Sequence, residues 1–89
     1  MPYYAELTLI TRQGCHLCEE ASNDLAKVIA RFTELHPDKQ YSVEVIDVDS
    51  DPELTSRYSD EVPVLLLNGK QISFFRINIE RVLAQLENL

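Results

Sequence analysis

Six consecutive positions, Val62-Pro63-Val64-Leu65-Leu66-Leu67, carry no charged or hydrogen-bonding side chain, and the turn dipeptide Asn68-Gly69 follows at once. An apolar run this short, closed by a turn, reads as a strand buried at the centre of a sheet. Asn-Gly favours a two-residue hairpin, so Gln71 to Phe75 is expected to return antiparallel beside it. The rest of the chain must supply that strand's other neighbour and the helices that cover it.

Glu6 to Thr11 alternates polar and apolar residues and is rich in β-branched types, which predicts a first strand. Gly14 breaks it. Apolar residues then recur at Leu17, Ala21, Leu25, Val28, Ile29 and Phe32, steps of three and four that predict a long amphipathic helix. His36-Pro37 ends it, because the residue before proline disfavours the helical region. Tyr41 to Val48 predicts a second strand, with Tyr41, Val43 and Val45 on one face and Ile46 and Val48 on the other. Ser50 is the expected cap of a short helix through Leu54 and Tyr58, with Pro52 in its first turn and Glu53 reaching back. Asn78 caps a last helix whose apolar face is Ile79, Val82, Leu83 and Leu86, with Ile77 stapled to Val82. Tyr3, Tyr4, Tyr41, Phe74 and Phe75 are expected to serve as core or edge packing. The order is β-α-β-α-β-β-α: an α/β fold with a four-stranded mixed sheet flanked by helices. Its first two strands are parallel through a helical crossover and its last two form a hairpin.

With 89 residues and no linker, repeat or low-complexity run, residues 1–89 are expected to form a single domain. The formal net charge of −7 repels nucleic acid and anionic lipid, and no Lys/Arg cluster offsets it locally. No stretch approaches the ~20 apolar residues of a membrane helix, and the N-terminus lacks the pattern of a signal peptide. A cytoplasmic location is therefore expected, with neither nucleic acid nor membrane as partner. In a reducing compartment a close cysteine pair is catalytic or metal-binding rather than a structural staple.

That pair is Cys15-His16-Leu17-Cys18, placed where the first strand gives way to the long helix. The first turn of a helix offers unsatisfied N–H groups and the positive end of the macrodipole, and both favour a thiolate over a thiol. Cys15, the better exposed, is the expected nucleophile. Cys18, one turn further on, is placed to resolve a mixed disulfide formed at Cys15. A Cys-x-x-Cys near a βαβ pattern is a redox signature, and the competing reading is two ordinary buried cysteines. A zinc site would need four ligands, and beyond the cysteines only His16 and His36 remain, too far apart along one helix to converge. No metal is expected.

The stretch Thr11-Arg12-Gln13-Gly14-Cys15-His16-Leu17-Cys18 resembles the active-site segment of glutaredoxins, in which a basic residue lies three before the first cysteine. Glu61-Val62-Pro63-Val64 resembles their Thr-Val-Pro segment. The Asn68-Gly69 hairpin and the final helix match as well, so the resemblance covers nearly the whole chain. It is nearest to small glutaredoxin-like domains with Val-Asp-Val-Asp and Val-Pro-Val-Leu-Leu-Leu-Asn-Gly patterns, present here at 45–49 (with Ile46 in place) and 62–69. The resemblance implies a thioredoxin-like fold. It also implies a cis Pro63 facing the cysteines and a Val62 backbone turned to pair with an extended thiol substrate. By the same resemblance Arg12 would hold a carboxylate of glutathione; the alternative is a solvated arginine at a strand end. Lys70 and Arg76 are expected to be surface charges.

Departures from the family pattern bear on the substrate. Ser73-Phe74-Phe75-Arg76 stands where glutaredoxins carry a Gly-Gly pair. His16 and Leu17 replace the usual proline and aromatic residue, Glu61 replaces the threonine, and Glu19-Glu20 follow the motif. Together these argue against tight glutathione binding and leave dithiol chemistry intact. His16 either stabilises the Cys15 thiolate and shuttles a proton, or is an exposed helix-start residue.

The function expected is thiol–disulfide exchange with a protein or low-molecular-weight thiol, by Cys15 and Cys18, with Arg12, His16, Val62 and Pro63 at the substrate site. No organic cofactor is needed, glutathione being a candidate thiol co-substrate, and the chain is expected to act as a monomer. The alternatives are a redox-inactive binding or adaptor module that kept the fold, and a glutathione-assisted iron–sulfur carrier bridging two chains through Cys15.

Overall fold

Strand β1, Ala5–Thr11, sends Ala5, Leu7 and Leu9 to one face of the sheet and Ile10 to the other, and all of them are buried. A strand covered on both faces belongs at the centre of a sheet. In the computed structural model, which describes residues 4–89, the strand order is indeed β2-β1-β3-β4. Tyr3, expected to pack, lies outside the described residues. Strand β2, Tyr41–Asp47, runs parallel to β1 with Leu9 opposite Val45. Strand β3, Val64–Leu67, runs antiparallel to β1 with Ile10 opposite Val64, and pairs in turn with β4, Lys70–Phe74. The hairpin between β3 and β4 turns at Asn68 and Gly69, both at positive φ (52° and 84°), as a two-residue primed turn requires. Asn68 also ties the turn back to β1, its Oδ1 accepting from the Glu6 N–H at 2.8 Å.

Helix α1, His16–Leu35, buries Cys18, Ala21, Leu25, Val28 and Phe32 against the Leu7–Leu9 face. Helix α3, Ile79–Glu87, lies on the same face and adds Val82 and Leu86. Asn78 caps α3, its Oδ1 accepting from the Arg81 N–H at 3.0 Å, and Ile77 is buried in the cluster that holds Val82. On the opposite face Ile10, Val48 and Val64 form a smaller cluster, closed by Leu54 and Tyr58 of α2, Pro52–Tyr58. The result is a three-layer α/β/α arrangement in the order anticipated from the pattern.

The local differences have physical causes. β2 stops at Asp47 because Val48–Ser50 winds into a 3₁₀ turn, where the Asp47 carboxylate accepts from the Asp49 N–H at 2.9 Å. The cap of α2 is Asp51, not Ser50: its Oδ1 accepts from the Glu53 N–H at 2.8 Å, while the Ser50 hydroxyl donates back to the Asp47 carbonyl. A carboxylate serves a helix N-terminus at least as well as a hydroxyl, and Pro52 then occupies the first helical position. β3 starts at Val64, one residue past the proline, which has no N–H to give a ladder. β4 ends at Phe74 because Phe75 adopts φ 64°. Val43 and Val45, alternating as expected, stand largely in solvent because β2 is an edge strand.

Candidate active site

Gly14, at φ 73°, lets the chain reverse out of β1 and deliver Cys15 to the head of α1. The Cys15 N–H donates to the Arg12 carbonyl at 3.3 Å, closing that turn. Cys15 is itself the N-cap residue of α1, in extended conformation, and its Sγ accepts from the Cys18 N–H at 3.1 Å. A sulfur where the N-cap oxygen of serine or aspartate normally sits faces the unsatisfied donors of the first turn. Both cysteines are free thiols.

The pair is asymmetric. Cys15 is partly open to solvent, whereas Cys18 is 4% exposed. Burial, and then the sulfur of Cys15 beside it, push the Cys18 thiol up to about 11 from an ordinary 9.0. At neutral pH Cys18 therefore keeps its proton.

This shift has a consequence for stability. Folding raises the Cys18 value, so the contribution is complete below pH 9 and drains away as pH climbs towards 11, where only the unfolded chain is readily ionised. The reduced protein is expected to lose on the order of 2 kcal/mol across that window relative to Cys18→Ala. Urea titrations of both proteins at several pH values measure it; parallel curves would contradict the assignment.

Arg12 is where the site differs from the expectation. Its guanidinium is engaged within the protein: Nε and Nη2 each donate to Asp49 at 3.0 Å, Nη2 donates to the Ser59 hydroxyl at 2.9 Å, and Nη1 to the Ser59 carbonyl at 3.4 Å. The bidentate partner is the Asp49 carboxylate, which the guanidinium holds below the usual carboxylate range. Arg12 is thus paired within the protein while its side chain stays 36% exposed. It ties β1 to the turn after β2 and to the end of α2. Asp49 was within reach of sequence reasoning, because parallel strands end at the same edge of a sheet; Ser59 offered no such signal.

His16 stands in solvent at the start of α1, its side chain 85% exposed. Its ring nitrogens lie 4.0 Å from Glu19 and 3.9 Å from Glu20. That is the helix-start placement of the two readings. The Val62–Pro63 bond is cis, and Pro63 is buried. Carrying the Ile10–Val64 register one step further sets Pro63 across from Thr11, at the end of the sheet that presents Cys15. The Pro63 carbonyl accepts from the Phe75 N–H at 2.8 Å. Phe74 and Phe75, edge to face at 5.0 Å, are surface residues on this side rather than core. Lys70 and Arg76 are exposed as well.

The cleft at the cysteines is lined by Gln13, Gly14, Glu19, Ser22 and Val45 besides the thiols themselves. Its charged rim offers one carboxylate, Glu19, and one cation already paired, Arg12. Among the described residues no group of three or more His, Cys, Asp or Glu is placed to hold a metal ion, and no helix is long and apolar enough to cross a membrane.

Comparison with known proteins identifies a family and a fold. The family model described as the glutaredoxin-like domain matches residues 6–87. An uncharacterized protein of Mycobacterium tuberculosis is 29% identical over 86 residues, covering 91% of this chain and 81% of the relative. A structural genomics target protein from X. campestris superposes with a TM-score of 0.69 at 30% identity, covering 93% of this chain and 97% of that one. Mitochondrial thioredoxin 3 from Saccharomyces cerevisiae, in its oxidized form, gives a TM-score of 0.63 at 17% identity, covering 98% and 80%. At that identity the likeness speaks for the fold alone.

Proposed function

The chain belongs to the glutaredoxin-like domain family and has the thioredoxin fold, and from that premise we propose that it is a dithiol–disulfide oxidoreductase. The observation that carries the reading is the asymmetry of the pair: an accessible sulfur at the N-cap of α1 with an N–H on it, and a buried, protonated thiol beside it.

The Cys15 thiolate attacks one sulfur of a substrate disulfide. Its S–S bond breaks, the departing sulfur leaves as a thiolate that takes up a proton, and Cys15 is left in a mixed disulfide. The Cys18 thiol then gives up its proton and attacks the Cys15 sulfur. This releases the second substrate thiol and closes a Cys15–Cys18 disulfide. Two electrons have passed from the pair to the substrate, with one proton from Cys18 and one from solvent. Two equivalents of an external thiol return them and are left joined as a disulfide, in a cycle that uses no metal and no organic cofactor. Burial keeps Cys18 silent until the mixed disulfide brings an electrophilic sulfur within reach. Pro63, across from Thr11 at the same end of the sheet, and Val62 before it are the residues we assign to the backbone that meets the substrate.

Glutathione serves, on this reading, as reductant at most. With Arg12 paired to Asp49 and Ser59, and Glu19 on the rim, the described residues of the cleft supply no unpaired cation for its carboxylates. The substrate is a protein or small disulfide met by a monomeric domain in a reducing compartment.

Cys18→Ser tests the mechanism. The variant should attack normally and then stall, so incubation with a disulfide substrate should accumulate a Cys15 adduct seen by intact mass, close to one per chain. Wild type should show the intramolecular disulfide instead. Absence of any adduct would remove Cys18 from the resolving step.

A further inference from the structure

The edge of the sheet formed by β2 has features that the cysteine pair alone does not explain. β2 ends the sheet, so its outer N–H and C=O groups have no strand partner among the described residues. Its register with β1 sets Val43 beside Leu7 and Val45 beside Leu9, on the face that carries α1. The helix does not reach far enough to cover them: Val43 is 42% and Val45 58% exposed. An apolar groove results, walled by Leu25, Ala26 and Ile29 of α1 and by Tyr41, Val43 and Val45 of β2. Ser22 and Val45 line this groove and the cysteine cleft alike, so the two are continuous. The other face of the same edge is acidic, with Glu44 opposite Thr8 and Glu6 opposite Ser42. No lysine or arginine occurs within β2.

We propose that the β2 edge is the docking site for an extended segment of a protein substrate, alternating apolar and basic residues, whose reacting cysteine lies at the end nearest Val45. The proposal rests on the dithiol reading of Cys15 and Cys18 and names its substrate class. An added strand satisfies the free backbone groups of β2, and its side chains alternate between the two faces. Those on the helix side enter the groove beside Val43 and Val45, where burial of apolar surface favours binding. Those on the other side meet Glu44, with Glu6 one strand inward on the same face, and these carboxylates select lysine or arginine over aspartate or glutamate. The groove leads directly into the cleft, which aligns the segment with the Cys15 sulfur. A second copy of this chain is the less suitable occupant. Antiparallel self-pairing about the middle of Tyr41–Asp47 sets Glu44 against Glu44 of the copy, between two chains that each carry a net charge of −7.

The test separates docking from chemistry. A fluorescent peptide of alternating valine and lysine, with serine in place of the terminal cysteine, is titrated with the full chain and followed by anisotropy. Wild type should bind it at least ten times more tightly than the matching valine–glutamate peptide. Val43→Lys, at an exposed position, should weaken binding of the lysine peptide about tenfold, and so should Ala26→Lys on the opposite wall. Glu44→Lys should invert the preference between the two peptides. With cysteine restored, Val43→Lys should lower kcat/KM for the peptide disulfide by a similar factor and leave reduction of bis(2-hydroxyethyl) disulfide unchanged. Equal binding of both peptides, or no effect of Val43→Lys and Ala26→Lys, overturns the proposal. So does sedimentation showing a dimer that Val43→Lys dissociates, since a second copy would then occupy the edge. Selective peptide binding without turnover of either disulfide would overturn the dithiol reading and leave the docking site standing.

Discussion

Cys15→Ser is expected to lower disulfide reduction by at least ~10³-fold, the scale seen when a nucleophile is removed outright. A serine hydroxyl keeps its proton at neutral pH and forms no bond to sulfur that a second thiol can reverse. Cys18 cannot take over the first attack, because it is buried and holds its proton up to about pH 11. The fold should survive: the Cys15 side chain is a cap acceptor, and a serine oxygen fills that role well. Steady-state reduction of a small disulfide, beside circular dichroism of the same samples, measures both. Activity above a tenth of wild type in a correctly folded Cys15→Ser protein would take Cys15 out of the mechanism.

The largest effect on stability is expected at Phe32. Its ring is fully buried in the main core, stacked on Tyr4 with centroids 5.9 Å apart and edge-on to Tyr41 at 6.5 Å. It is thereby where α1, β2 and the segment leading into β1 meet. Phe32→Ala removes that surface and leaves a cavity that the sheet cannot close, at a cost of about 3–5 kcal/mol. A domain of this length holds roughly 0.05–0.15 kcal/mol per residue, so the loss lies between about a quarter of the total and all of it. In thermal unfolding the midpoint should fall by more than ~12 °C. A loss below ~1 kcal/mol would mean that the ring is not packed in this way. Stability and chemistry are separable in these two variants, because Phe32 lies in the α1–sheet core and Cys15 at the start of the same helix.

Local pattern was enough for the element order, because each piece carries its own periodicity or turn chemistry. The three-and-four spacing from Leu17 to Phe32 became α1, Asn68-Gly69 became the β3–β4 turn, and Asn78 became the cap of α3. The cysteine motif was equally legible, since its place at a strand-to-helix junction follows from the same spacing. Pairings between segments were less so. Ser50 and Asp51 are both competent caps, and only the winding of Val48–Ser50 gives the role to Asp51.

The amino-acid sequence thus determined the α/β order, the central strands and the chemical identity of the thiol pair, because these depend on neighbours a few residues apart. The tertiary structure decided which charges and surfaces remain free. Arg12 meets Asp49 and Ser59, respectively 37 and 47 residues away, and so is paired within the protein. Val43 and Val45 have the alternation of a half-buried strand, yet they stand in solvent because β2 falls at the edge and α1 lies over β1. Exposure and ion pairing are set by what the fold brings alongside a residue, and that neighbour is seldom close in the chain.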